Sequence, residues 1–352
     1  MSIDCRVASA VVLLGSLALV PSARAGDPPL FPCQELTFEG DGDGAAHADW
    51  NGDGNLDVAI TGLPSTGAHN FKGVTLFFGD GLGNFPTKIT RTLPTYSRDV
   101  AAADVDGDGR PDLMTLYGAG GGPGGIEVAK NGPLGLGAGS NYVVDEFPTN
   151  LAAGDVTNDG RPDLVCSTGG LAIVDVLVND GTGAFPTLIQ KTGVVGCKGI
   201  ALDDFDQNGD LDFAVTQFNT GTLETTYYGD GAGAFPRKRS VTSPNVDHSS
   251  LCAGDFNADG FPDVAVGDGN GSNLFELRVL INNGLSGTTN GFASMAILSD
   301  TSRIYCVRTD DIDFDGKLDL VVESDGIEVR RGLGGGAFDA PTRDDPVSIY
   351  KG

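Results

Sequence analysis

Aspartate recurs in this chain at a spacing that could enclose a cation. Six nine-residue segments share one pattern, at 49–57, 104–112, 155–163, 204–212, 255–263 and 311–319. Position 1 is Asp49, Asp104, Asp155, Asp204, Asp255 or Asp311, and position 3 is Asn51, Asp106, Thr157, Asp206, Asn257 or Asp313. Position 5 is Asp53, Asp108, Asp159, Asn208, Asp259 or Asp315, and position 9 is Asp57, Asp112, Asp163, Asp212, Asp263 or Asp319. Side-chain oxygens at these four positions, a Gly at position 6 for the sharp turn, and a backbone carbonyl at position 7 can wrap one hard cation of the size of Ca²⁺. The carbonyl would come from Asn55, Arg110, Arg161, Asp210, Phe261 or Lys317. Mg²⁺ fits less well, because it resists dehydration and demands a stricter octahedron. Thr157 stands where the other loops carry a carboxylate or carboxamide, which marks the third loop as the weakest site.

The same spacing opens an EF-hand, but that loop needs a bidentate Glu at position 12 and a helix on each side. Position 12 here is Ile60, Thr115, Cys166, Val215, Val266 or Val322. Pro111, Pro162 and Pro262 at position 8, followed by β-branched alternation, call for a strand instead. One Asp-Gly loop alone would read as a polar turn. Six of them, with steps of 55, 51, 49, 51 and 56 residues between first Asp residues, are the signature of a repeat architecture. The loop carboxylates account for most of the net charge of −26. Nucleic acid is excluded as a partner by the absence of a basic stripe.

Each repeat divides into four strands. The first is rich in Ala and Gly and ends at the first Asp; the second follows the loop; the third is typified by VTLFFGDG and VDVLVNDG. A glycine hairpin then leads to a fourth strand, as in GDGLGNFP from Gly79, NDGTGAFP from Asn179, GDGAGAFP from Gly229 and the degraded GLGGGAF from Gly332. Four antiparallel strands per unit with no room for a helix make the blade of an all-β propeller, its small first strand innermost where blades crowd the axis. The loop residues at position 2 (Trp50, Val105, Val156, Phe205, Phe256, Ile312) are all apolar and are expected to plug the core beneath their loops.

The Asp-rich loop and the GDGxGxF hairpin together resemble the bacterial VCBS and FG-GAP repeat proteins, whose blades are like those of the integrin α-chain head. The resemblance covers about residues 31–352. It implies a calcium-binding propeller, with up to six Ca²⁺ on the loop positions named above. Members are commonly seven-bladed; six loops favour six blades here, with a degenerate seventh as the alternative. Leu30-Phe31-Pro32-Cys33 looks like a fourth strand ahead of the first repeat, able to close the ring against the last blade.

Residues 1–25 read as an export signal: Arg6, an apolar run Val7–Val20, and an A-x-A site before Gly26. Residues 26–30 form a short linker and 31–352 the propeller. No later segment is long and apolar enough to span a bilayer, so the product is expected to be secreted or periplasmic. Cys33, Cys166, Cys197, Cys252 and Cys306 remain after cleavage, an odd number that leaves a thiol unpaired. A Cys166–Cys197 disulfide is one option, and Cys252 reads as a small buried apolar residue.

The metal-loop face is uniform in sequence, whereas the connections on the other face vary, at 62–72, 118–125 and 267–273, with His69, Phe71, Tyr96 and His248 nearby. Variable loops on a rigid frame are where recognition resides. The function expected is a secreted recognition or adhesion module for a glycan or protein ligand on that face, with calcium structural. An inert surface-associated protein and a carbohydrate lyase or dehydratase are the alternatives. The enzyme reading lacks support in three His residues and in the absence of G-x-S-x-G, H-E-x-x-H or a phosphate-cradling loop.

Overall fold

A computed structural model describes residues 41–344 apart from 64–71, 82–83, 119–122, 170–172, 195, 218–221, 243–247, 269–274, 285–291, 301–303, 305, 314 and 325–326. Among the described residues there is no helix. The chain forms six four-stranded antiparallel sheets, each a blade of a propeller ring. Blade one runs Asp41–Ala48, Asp57–Leu63, Gly73–Phe78, Thr87–Thr92, and blade two Ser97–Ala103, Asp112–Tyr117, Pro123–Ala129, Ser140–Glu146. Blade three runs Pro148–Gly154, Asp163–Thr168, Ile173–Val178, Thr187–Thr192, and blade four Cys197–Asp203, Asp212–Gln217, Thr222–Tyr228, Arg237–Thr242. Blade five runs His248–Gly254, Asp263–Asp268, Phe275–Asn282, Phe292–Asp300, and blade six Cys306–Asp310, Asp319–Glu323, Ile327–Arg330, Thr342–Asp344. The six-blade expectation holds.

The first strand of each blade is innermost, and successive inner strands pack side by side. Alanine and glycine there permit close approach. Gly44 illustrates the tightness: a Cβ added to it would lie 2.4 Å from a carboxylate oxygen of Asp99 in the next blade. Blade six comes back to blades one and two across the axis. Burial lowers the His47 imidazole while the charge of Asp310 opposes it, and the Arg308 guanidinium tempers the burial that raises Asp99.

Among the described residues the core is divided into five clusters, one at each junction between consecutive blades from one to six. Position-2 residues behave as the sequence suggested: Trp50, Val105, Val156, Phe205 and Phe256 are at most 4% exposed, and each sits in the junction with the following blade. The hairpin Phe of the following blade meets it there, as with Phe185, Phe235 and Phe338. Phe256 and Phe338 pack edge to face with centroids 5.5 Å apart. Ile312 differs in being only half-buried.

Blade six takes its outer strand from Thr342–Asp344 of its own repeat; the closing strand expected at Leu30–Cys33 lies outside the described residues, as do the signal segment and Cys33. Cys166 and Cys197 are buried free thiols, so the disulfide considered for them is absent from the structure. Burial pushes the Cys197 thiol up to about 12. Cys252 is 7% exposed within the junction of blades five and six, a small core residue as read.

Candidate metal sites

Every Asp-rich segment connects the first and second strands of its blade. Position 9 is the first residue of the second strand, paired across the ladder with the residue just before position 1: Ala48 with Asp57, Ala103 with Asp112, Gly154 with Asp163, Asp203 with Asp212, Gly254 with Asp263, Asp310 with Asp319. The loop closes through two left-handed residues. Position 6 is always Gly, with φ between 84° and 94° at Gly54, Gly109, Gly160, Gly209, Gly260 and Gly316. Among the described residues position 4 is left-handed too, at Gly52 and Gly107 (φ 74° in both) and at the non-glycines Asn158, Gln207 and Ala258 (φ 54°, 53° and 60°). A side chain at such a φ costs about 1 kcal/mol or more, least for Asn.

This turn wraps the backbone around the position-1 carboxylate. In loop one, Asp49 accepts from the N–H of Gly52 (2.7 Å), Asp53 (3.1 Å) and Gly54 (2.8 Å). The position-6 N–H does the same to Asp104, Asp155, Asp204, Asp255 and Asp311 at 2.7 to 2.9 Å. The position-5 side chain accepts from the N–H of position 7 in every loop, as from Asn55, Arg110, Arg161, Asp210, Phe261 and Lys317. Arg110, Arg161 and Lys317 also lay their charged ends on the position-5 carboxylate of their own loop. These exposed pairs add little to stability.

Position 9 is different, being at most 1% exposed in all six loops. One oxygen accepts from the N–H of position 2, as Asp212 does from Phe205 (2.9 Å), and the other from the start of the hairpin, as from Gly229 (2.7 Å). The residue therefore ties three segments of its blade together. Burial raises all six of these carboxyls, outweighing the two N–H bonds, and takes Asp212 and Asp263 to about 7. Neighbouring loop carboxylates add to the effect.

Three loops gather carboxylate oxygens within 4.8 Å of one another: Asp104, Asp106 and Asp108; Asp204, Asp206 and Asp212; Asp311, Asp313 and Asp315. These are the loops with Asp at position 3. In loops one and five the Asn there turns its amide on its position-5 neighbour, Asn51 to Asp53 at 3.0 Å and Asn257 to Asp259 at 2.9 Å. Thr157 instead donates its hydroxyl to Asp163 at 3.0 Å. Asp106 Oδ1 and Asp206 Oδ1 are shut off from solvent with no hydrogen-bond partner, each beside two other carboxylates. A buried anionic oxygen without a donor is costly, and a cation held in common by the cluster is what would relieve it. These acidic groups could hold a metal ion, and an all-oxygen donor set suits a hard one.

The FG-GAP-like repeat model matches residues 49–115, 155–215, 204–266 and 255–322, together well over half of the chain. This chain belongs to the FG-GAP-like repeat family. Each matched FG-GAP-like segment starts on position 1 of an Asp-rich loop. The chain is also 26% identical over 248 residues to the human T-cell immunomodulatory protein, a match covering 62% of this chain and 40% of that one. It thus spans about two fifths of the length of the curated relative it matches.

Sequence reading overlooked how the FG-GAP-like loops are joined to the hairpins. In blades two, three and five the hairpin opens with Asn131, Asn179 or Asn282, and position 8 of the same blade is Pro111, Pro162 or Pro262. In blades one, four and six it opens with Gly79, Gly229 or Gly332, and position 8 is Leu56, Leu211 or Leu318. The Asn amide reaches across to the preceding blade, donating to the position-2 carbonyl of Trp50, Val105 or Phe205 at 2.8 Å. Where Gly stands, a later hairpin N–H does that work: Gly233 to Val156 (3.0 Å) and Gly336 to Phe256 (3.1 Å). Of the residues expected on the opposite face, His69 and Phe71 lie outside the described residues, together with most of the three variable connections.

Proposed function

We propose that this protein is an exported calcium-loaded propeller that serves as a recognition and adhesion module for a protein or glycan ligand. Its six loops hold up to six Ca²⁺ through positions 1, 3, 5 and 9 and the position-7 carbonyl. The ions are structural: they neutralise clustered carboxylates and tie the first strand of each blade to the second. The observation that carries the cation reading is the pair of buried, unpartnered oxygens on Asp106 and Asp206 inside carboxylate clusters.

Recognition falls to the face opposite the loops, where the connections differ from blade to blade in sequence. The relative's name, T-cell immunomodulatory protein, favours a protein ligand. Export follows from residues 1–25 acting as a signal removed before Gly26. The test takes the secreted product, reads its N-terminus by mass spectrometry, and titrates it with CaCl₂ by calorimetry before a glycan array and a cell-surface protein screen. Uptake of several Ca²⁺ is expected. Replacing residues 62–72 with a short neutral loop should abolish ligand binding and leave calcium uptake intact; loss of calcium with ligand binding retained would reverse the assignment of the two faces.

A further inference from the structure

Loops three, four and five touch one another, and the contacts come from a single position. Position 4 is Gly52 and Gly107 in the first two loops, which have no side chain to extend. In the third and fourth it is Asn158 and Gln207. Asn158 Nδ2 donates to Asp210 Oδ1 of loop four, and Gln207 Nε2 donates to the Gly260 carbonyl of loop five. The series stops there, because position 4 of loop five is Ala258. Gly231 and Gly260 leave room for these arms: a Cβ on Gly231 would come within 2.8 Å of Asn158 Nδ2, and one on Gly260 within 3.2 Å of Gln207 Nε2.

One arm ends on the side chain of the residue whose carbonyl a cation would need, and the other on the carbonyl just before that residue. Asp210 is position 7 of loop four, the residue whose carbonyl would face the ion. Gly260 immediately precedes Phe261, the equivalent residue of loop five. Loop four is also fastened from outside, since Arg237 of its outer strand pairs with Asp206 at 2.7 Å. The Asp206 side chain is only 7% exposed, its Oδ2 is taken by Arg237, its Oδ1 has no partner, and the carboxylate is clustered with those of Asp204 and Asp212. A rigid, half-satisfied carboxylate is therefore already in place in the middle of the series.

We infer that loops three, four and five take up divalent cations cooperatively, each filled loop raising the affinity of its neighbour through the Asn158 and Gln207 arms, while loops one and two fill independently. The inference rests on the cation reading of the loops. A cation in loop three fixes residues 155–163 and with them Asn158; Asn158 then holds Asp210 where loop four needs it, and Gln207 passes the constraint to loop five. Ordering accomplished by the first ion does not have to be repeated for the second, which is positive coupling without any new ligand. Such coupling is reciprocal, so filling loop five also favours loop three.

The test is a calorimetric Ca²⁺ titration of the whole mature chain, run as wild type, as the double variant Asn158→Gly with Gln207→Gly, and as Ala258→Gly. Glycine matches loops one and two and accepts the left-handed backbone, so the variants keep the turn. Wild type and Ala258→Gly should show a cooperative class of sites, and the double variant the same stoichiometry with independent sites. In a second comparison, Asp155→Asn in loop three should weaken the loop-four and loop-five class by about fivefold, whereas Asp49→Asn in loop one should leave that class unchanged. Isotherms of one shape in wild type and double variant, with calcium still bound, overturn the coupling alone. Absence of calcium uptake by wild type overturns the cation reading on which it stands.

Discussion

The Asn282 side chain of blade five donates its amide to the main-chain carbonyl of Phe205 in blade four, 2.8 Å away, and to the Pro262 carbonyl of its own blade at 3.0 Å. Asn282 is 1% exposed, so no water replaces it if it is cut back. Asn282→Ala leaves two carbonyls short of a donor at the junction between blades. The expected loss is about 1–3 kcal/mol of stability by urea denaturation, with calcium held saturating. A variant as stable as wild type would show that the contact is dispensable.

Chelation should be felt by the whole ring. Metal-free loops keep their shape through N–H groups aimed at position 1, yet leave carboxylates facing one another within 4.8 Å in three loops. At ten times its dissociation constant a bound ion contributes about 1.4 kcal/mol per site. EDTA should accordingly lower the melting temperature sharply, and calcium should restore it. Trp50, the single Trp of the chain, is 3% exposed beneath loop one, so its emission should be blue-shifted in calcium and move red as that loop loosens. Equal melts with and without EDTA would count against a structural ion.

Glu224, away from the loops, predicts a pH dependence of its own. It is fully buried in the third strand of blade four; burial raises its carboxyl to about 7 against the pull of Arg239, and Oε2 has no hydrogen-bond partner. The folded protein then holds a proton that the unfolded chain has released. Stability from this group is present below the ordinary Glu pKa and is lost as pH rises toward 7. Denaturation of wild type and Glu224→Gln at pH 5 and pH 8 should show wild type losing on the order of 2 kcal/mol relative to the variant across that span. A pH-independent difference would mean that Glu224 ionises normally in the fold.

The fold was open to reading because its signals are local and repeated. Gly at position 6, Asp at position 9 opening a β-branched run, and an apolar plug at position 2 each follow from one turn, and six copies fix the blade number. The hairpins of blades two and five were harder to find, because the residues after Asn131 and Asn282 lack the closing G-x-F that marks the others, and the role of these Asn side chains depends on a carbonyl some 80 residues away. The arms of Asn158 and Gln207 were hidden for the same reason: position 4 faces out of its own loop, and only the closed ring brings loop four beside it. The pairing of Arg237 with Asp206 joins an outer strand to a loop 31 residues earlier, which no periodicity announces.

Two forms of the loop–hairpin joint suggest a swap. In blade four a Cβ on Gly229 would lie 2.3 Å from the Leu211 carbonyl oxygen, and Gly79 and Gly332 face Leu56 and Leu318 in the same way. Where position 8 is Pro, whose ring fixes φ and pushes the residue before it toward an extended backbone, the same hairpin place holds Asn, and in blades three and five its amide binds that carbonyl, Asn179 to Pro162 at 2.9 Å and Asn282 to Pro262 at 3.0 Å. Gly229→Ala should therefore cost about 1–3 kcal/mol, and Gly229→Asn at least as much. Leu211→Pro sacrifices some packing in the junction of blades three and four, where Leu211 is partly buried. If the two joints are true alternatives, Gly229→Asn should be less harmful in the Leu211→Pro background than alone, with a coupling energy of about 1 kcal/mol in a double-mutant cycle measured by urea denaturation. Strictly additive losses would mean that Pro and Asn share blades two, three and five without depending on each other.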